Sequence, residues 1–194
     1  STLIIRRFHQ LLLFFTDGIS YFIIIPLIIF HLWLNLNFTS GQLRIVLIAT
    51  CAAIGVTFVP VVLSSVWALK PVVRYFRAFL ENRTVPQEEY DRAFNSFVNL
   101  PFYFSIRVFF NYLAGLGLIS ISLFVSGNLL PSQKINLVLI SAIIPVLSAV
   151  IYFTISEILV QKCIMTDCFP KWYIDRSKFR LPMSWRILLL TVTS

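Results

Sequence analysis

The chain has 194 residues, of which 58% are hydrophobic and only 12% charged, with a net charge of +8. A soluble domain is about half apolar and roughly a quarter charged, so this composition excludes a disordered chain and an ordinary water-soluble enzyme. It indicates an integral membrane protein whose basic residues flank apolar segments, and no nucleic-acid partner is expected.

Four apolar stretches are long enough to span a bilayer, since a membrane-spanning helix needs about 20 residues. Blocks such as YFIIIPLIIF do not alternate between apolar and polar residues, which excludes the strands of a membrane barrel. The sequence therefore predicts an all-α fold, a polytopic transmembrane helical bundle that occupies residues 1–194. Four full spans and the start of a fifth are expected at 11–33, 45–69, 102–125, 135–160 and 184–194.

Basic residues concentrate in alternate connections, as the positive-inside rule describes. The N-terminal flank and the segments 70–100 and 161–183 are rich in Lys and Arg, whereas the two other connections hold Arg44 and Lys134 alone. The sequence thus predicts a multi-pass protein of the cell membrane, with its N-terminus and both basic segments in the cytoplasm.

The basic segment 70–100 is predicted to form a cytoplasmic amphipathic helical hairpin. Pro71 suits the first turn of a helix, where its missing N–H is not needed, and Arg74 lies on the polar face. Thr84 and Gln87 fit a capping box that opens a second short helix. Two interpretations remain open, a hairpin that only packs on its own bundle or at the lipid interface, and one that relays a signal.

The same segment, KPVVRYFRAFLENRTVPQEEYDRAFNSFVNLP, resembles a shortened HAMP-type signalling linker. Pro71 matches the proline that opens the first HAMP helix, Glu89 resembles the acidic residue that opens the second, and Asn95 ends a similar AFN run. With an Asn-Leu-Pro motif ending at Pro101 and Arg107 just inside the next span, the arrangement resembles the six-helix membrane domain of bacterial signalling proteins. Some class III adenylate cyclases carry such a domain.

The resemblance implies a sensory, anchoring and dimerising membrane module that regulates a C-terminal cytoplasmic enzyme, most simply a nucleotidyl cyclase. Its expected partners are the lipid bilayer, a second copy of the chain in a homodimer, and a hydrophobic or periplasmic ligand acting on it as on a receptor. The candidate transduction residues are Pro71, Arg74, Glu89, Asn95 and Pro101.

Three ionisable residues fall within or at the ends of the predicted spans, at Asp17, Arg107 and Glu157. A charge inside the bilayer is costly, so each needs a partner or a purpose. All three are expected near the cytoplasmic side, where Arg107 can pair with either carboxylate. Such residues hold helices together or reach to the interface, act as a transduction switch, or line an ion or proton path.

No catalytic arrangement is present in the sequence, and no cofactor is expected in this segment. It contains no Gly-rich phosphate loop, no paired catalytic carboxylates and no zinc-type Cys and His spacing. The visible segment is therefore predicted to be non-catalytic, whatever the activity of the full protein. Two other functions remain open, a segment of a small transporter or channel and a scaffold subunit of a membrane complex.

Overall fold

The computed structural model describes residues 18, 20–81, 83–126 and 129–164. They form four α-helices, and a π-helical turn, Ser20–Ile24, leads into the first. All regular structure in these ranges is helical, which confirms the predicted all-α class. The helices are α1 (Ile25–Leu36), α2 (Ser40–Leu80), α3 (Gln87–Val125) and α4 (Pro131–Ile164).

Three of these helices, α2, α3 and α4, are long and apolar enough to cross a membrane. They agree with the predicted transmembrane helices over 45–69, 102–125 and 135–160. The predicted first span corresponds in part to a shorter apolar helical stretch, Tyr21–Leu34, which consists of most of the π-helical turn and most of α1. Residues 11–17 and the predicted fifth span lie outside the described residues, so the count of four spans and a fifth stays a prediction.

Helix α2 continues through Pro71 without interruption, so the prediction that this proline opens a separate helix is wrong. With 41 residues α2 is about 60 Å long, roughly twice the hydrocarbon thickness of a bilayer. A proline inside a helix removes one backbone hydrogen bond. Just after Pro71, the side chains of Val72 and Phe76 are buried in a cluster with residues of α3, and the helix continues unbroken through them. The two arms of segment 70–100 are therefore extensions of α2 and α3 and not two separate short helices.

The start of α3 also differs from the prediction. The helix begins at Gln87 with Pro86 as its N-cap, and no side chain caps it, so the capping box predicted from Thr84 to Gln87 is wrong. The prolyl φ of −58° and ψ of 145° at Pro86 already direct the chain into the first helical turn.

A capping box does form at the start of α2, between Thr39 and Gln42. The Gln42 N–H donates to the Thr39 hydroxyl at 3.3 Å, and the Thr39 N–H donates to the Gln42 side-chain oxygen at 3.0 Å. Just before it, Asn37 takes a left-handed backbone conformation, with φ of 44°, and ends α1. Together they make the tight turn between α1 and α2.

Helix α3 is the centre of the bundle, because it packs against both α2 and α4. Three groups of buried side chains lie along it, one at each end and one between them. At the end near the turn after α1, the buried Gln133 of α4 donates to the Leu36 carbonyl of α1 at 2.7 Å. This bond joins the first and last described helices.

Candidate functional site

Arg107 lies on α3 in its apolar half and extends its guanidinium toward α2. One nitrogen donates to the Val61 carbonyl at 3.2 Å and to the Ser65 hydroxyl. The guanidinium carbon also lies 4.6 Å from the centre of the Phe104 ring, within cation–π distance. The described hydrogen bonds of this charge thus run to a backbone carbonyl and a hydroxyl of the neighbouring helix.

A second polar contact, one turn away, joins the same two helices. The Tyr103 hydroxyl donates to the Ser64 carbonyl at 3.2 Å. The hydroxyls of Ser64 and Ser65 both donate to the Val61 carbonyl, at 2.9 and 2.8 Å. Polar groups in an apolar surrounding need such partners, so this cluster fixes the register of α2 against α3.

The sequence predicts two carboxylates, Asp17 and Glu157, as partners of Arg107. Glu157 is half-buried on α4 and accepts a hydrogen bond from the Gln161 amide at 3.3 Å. Asp17 lies outside the described residues. The pairing of Arg107 with either carboxylate stays a prediction.

Beyond the apolar stretch of α2, the two helices pack through an aromatic core. Tyr75 meets Tyr90 edge-on at 5.3 Å, and Phe76 meets Phe97 in the same way at 5.7 Å, measured between ring centres. The same buried cluster includes Leu69 at the end of the apolar stretch. It thus links the apolar part of the helix pair to its far end, which we call the distal hairpin (residues 70–100).

An open cleft of about 640 Å³ lies on one side of the distal hairpin. It brings together three of the five candidate transduction residues, Pro71, Arg74 and Glu89, and places Lys70 and Arg92 beside them. The Arg92 guanidinium forms an ion pair with Glu88 at 2.8 Å, and both side chains are largely exposed.

The other two candidate transduction residues lie outside this cleft. Asn95 is exposed on α3, and its backbone carbonyl accepts a hydrogen bond from the Asn99 amide at 2.9 Å. Pro101 is buried in the interior of α3. The five residues therefore do not form a single site.

Sequence reasoning missed Ser65 as a partner of Arg107 and missed Trp67, Lys70 and Arg92 as cleft residues. A usable signal existed for Lys70 and Arg74, because residues four apart lie on the same face of a helix. No comparable signal existed for the acceptor at Val61, because a backbone carbonyl has no signature in the sequence.

A small apolar cavity of about 50 Å³ lies between α1, α2 and α3, with Ile28, Thr57 and Tyr112 in its wall. Ligand pockets usually measure about 300–1,000 Å³, so this cavity is too small for a drug-sized molecule. Within the described ranges there is also no group of three or more His, Cys, Asp or Glu residues placed to hold a metal ion.

Comparison with protein-family models, with curated proteins and with solved structures finds no match for this chain.

Proposed function

We propose that this segment is the anchoring, dimerising and sensory membrane part of a signalling protein, and that it regulates an attached cytoplasmic enzyme, a nucleotidyl cyclase. The observation that carries the proposal is the unbroken course of α2 and α3 from their apolar halves into the distal hairpin. In a rigid packed pair, a helix that shifts at one end also moves at its other end. Such a pair is suited to pass a change of packing in the bilayer to its far end.

The two kinds of contact between α2 and α3 support this role. The hydrogen bonds of Arg107 to Val61 and Ser65 join the helices in their apolar halves, and the aromatic core of Phe76 and Phe97 joins them in the distal hairpin. A stimulus that repacks the helices around Arg107 therefore acts on a helix pair that is also held together in the distal hairpin. The distal hairpin carries exposed charges such as Arg74 and Glu88, as a segment in water does, which supports a place outside the bilayer.

The cytoplasmic side, the homodimer and the hydrophobic or periplasmic ligand are parts of the same proposal. The side follows from the distribution of Lys and Arg. The dimer, the ligand and the cyclase follow from the resemblance to the membrane domains of bacterial signalling proteins. We expect the ligand to act by favouring one of two helix packings.

The proposal is tested with the chain joined to a cyclase catalytic domain in cells that have no cyclase of their own. Phe97 is fully buried in the hairpin core, whereas Phe79 is 39% exposed in the same hairpin, which makes a matched pair of variants. We expect Phe97→Ala to change cyclic-nucleotide output by about fivefold or more at equal membrane levels, and Phe79→Ala to leave it near the parent level. Equal output from the parent and both variants contradicts the relay function.

The alternative function, a transporter or channel segment, places Arg107 on a path for ions or protons through the apolar halves of the helices. Ion or proton flux through liposomes holding the chain, lost in Arg107→Gln, supports transport and contradicts the proposal. The described bonds of Arg107 to Val61 and Ser65 favour a structural tie, because they hold one guanidinium nitrogen against fixed acceptors on a neighbouring helix.

A further inference from the structure

The cleft of the distal hairpin begins where the uncharged stretch of α2 ends. Trp67 and Lys70 line it at this level, and Arg74 lines it one turn further on. Lys70 is the first charged residue after the apolar stretch 45–69, so a bilayer spanned by α2 has its head-group layer at this point. Trp67 is 74% exposed there, and tryptophan favours the level of the lipid head groups.

Charges of opposite sign follow one another along the cleft. Lys70 and Arg74 lie nearest the apolar stretch. Glu88 and Glu89 lie farther out, because they precede Tyr90, which packs against Tyr75 on the neighbouring helix. Moving away from the bilayer, the cleft thus presents positive charge first and negative charge second.

Three of these charges are available to a ligand. Glu88 is engaged by Arg92. Within the part of the chain that the structure describes, Lys70, Arg74 and Glu89 form no ion pair. The residues Lys70, Arg74 and Glu89 are all exposed.

We propose that this cleft binds the head group of an aminophospholipid of the phosphatidylethanolamine class. The phosphate lies against Lys70 and Arg74, and the ammonium group lies farther out against Glu89. The order of the charges in the cleft matches the order of charges in the lipid, whose phosphate is closer to the acyl chains than its amine. A purely anionic lipid leaves Glu89 without a partner, and a choline lipid has no N–H to donate. The inference requires that α2 spans a bilayer, and it does not depend on the signalling function.

The test is native mass spectrometry of the purified chain in detergent, with phosphatidylethanolamine, phosphatidylglycerol and phosphatidylcholine added in equal amounts. The variants are Lys70→Gln, Arg74→Gln and Glu89→Gln, and Arg77→Gln is the matched control. Arg77 is an exposed arginine of the same helix that does not line the cleft. Arg74→Lys, which keeps the charge, shows whether a loss comes from charge or from disturbed folding.

We expect the parent chain to retain phosphatidylethanolamine in preference to the other two lipids. Lys70→Gln and Arg74→Gln each lower its retention by about fivefold, because each removes one basic side chain in contact with the phosphate. Glu89→Gln removes the preference for the amine while phosphatidylglycerol is still retained. Arg74→Lys and Arg77→Gln retain the lipid as the parent does.

Several results overturn the proposal. Equal retention of phosphatidylglycerol and phosphatidylethanolamine by the parent excludes recognition of the amine. An equal loss in Arg77→Gln and Arg74→Gln shows attraction by total charge and not by the cleft. If free phosphoethanolamine displaces the lipid at equal concentration, the ligand is a soluble phosphate compound and not a lipid.

Discussion

Helices α2 and α3 pack against each other in two different ways along their length. In the apolar half small residues meet, since a Cβ on Gly115 would lie 3.9 Å from that of Ala53, and large side chains such as Val56 and Leu63 face outward. In the distal hairpin the large side chains turn inward, and Phe97 is fully buried. Lipid offers no hydrophobic driving force for helix association, whereas water does. The difference teaches that one helix pair is held by close approach and polar contacts in one half and by aromatic burial in the other.

The largest effect is expected from the aromatic half. Phe97→Ala removes a fully buried ring and should lower the free energy of unfolding by about 3–5 kcal/mol, measured by denaturant titration in mixed micelles. Phe79→Ala, at a partly exposed position of the same hairpin, is the control and should cost far less. Similar losses for both substitutions would show that the distal hairpin has no aromatic core.

A smaller effect is expected from the polar contact in the apolar half. Ser65→Ala removes a hydroxyl that accepts a hydrogen bond from Arg107. It should lower the free energy of unfolding by about 1–2 kcal/mol, because the donor of this bond is a charged guanidinium. Ser64→Ala is the matched control, since the described bond of this hydroxyl stays within its own helix. A loss in Ser64→Ala as large as in Ser65→Ala would mean that the contact with Arg107 contributes nothing.

The turns at the two ends of the helix pair differ in their capping. Thr39→Ala should lower the stability by about 1 kcal/mol, because it removes the hydroxyl of a formed capping box. Thr84→Ala should have no measurable effect in the same titration, since α3 starts without a side-chain cap. The reverse order would place the capping box at Thr84, as the sequence suggests.

The smallest effect is expected where α3 meets α4. The hydroxyls of Ser120 and Ser141 lie 3.0 Å apart, and hydrogen bonds between membrane helices average about 0.6 kcal/mol. A double-mutant cycle with both serines changed to alanine should give a coupling energy of this size. Ser122→Ala, which removes a bond within α3 alone, should show no coupling to Ser141→Ala.

The sequence predicts the all-α class and three of the long apolar helices well, because uninterrupted apolar stretches are a strong signal. It is misleading at Pro71, since a proline after a lysine at the end of an apolar stretch resembles a helix start. The packing of Val72 and Phe76 that accompanies the continuous helix depends on residues of α3 more than fifteen positions away.

Thr39 and Thr84 both open the same Thr-x-x-Gln pattern, and the pattern alone cannot show that a capping box forms only at Thr39. At the second, Pro86 fixes the chain direction one residue before the helix. The cleft is predictable only in part, because Lys70 and Arg74 are one turn apart in the sequence, whereas Glu89 joins them through the antiparallel packing of α2 and α3.

The central claim is that α2 runs unbroken from its apolar half into the distal hairpin. It is tested by the distance between spin labels on Val56→Cys and Phe79→Cys, two exposed positions of α2, after the native Cys51, Cys163 and Cys168 are changed to serine. A continuous helix predicts a narrow distribution of distances centred at about 35 Å in reconstituted membranes, because the two labels are 23 positions apart. A broad distribution, or one centred well below this value, would show a break at Pro71 and contradict the account.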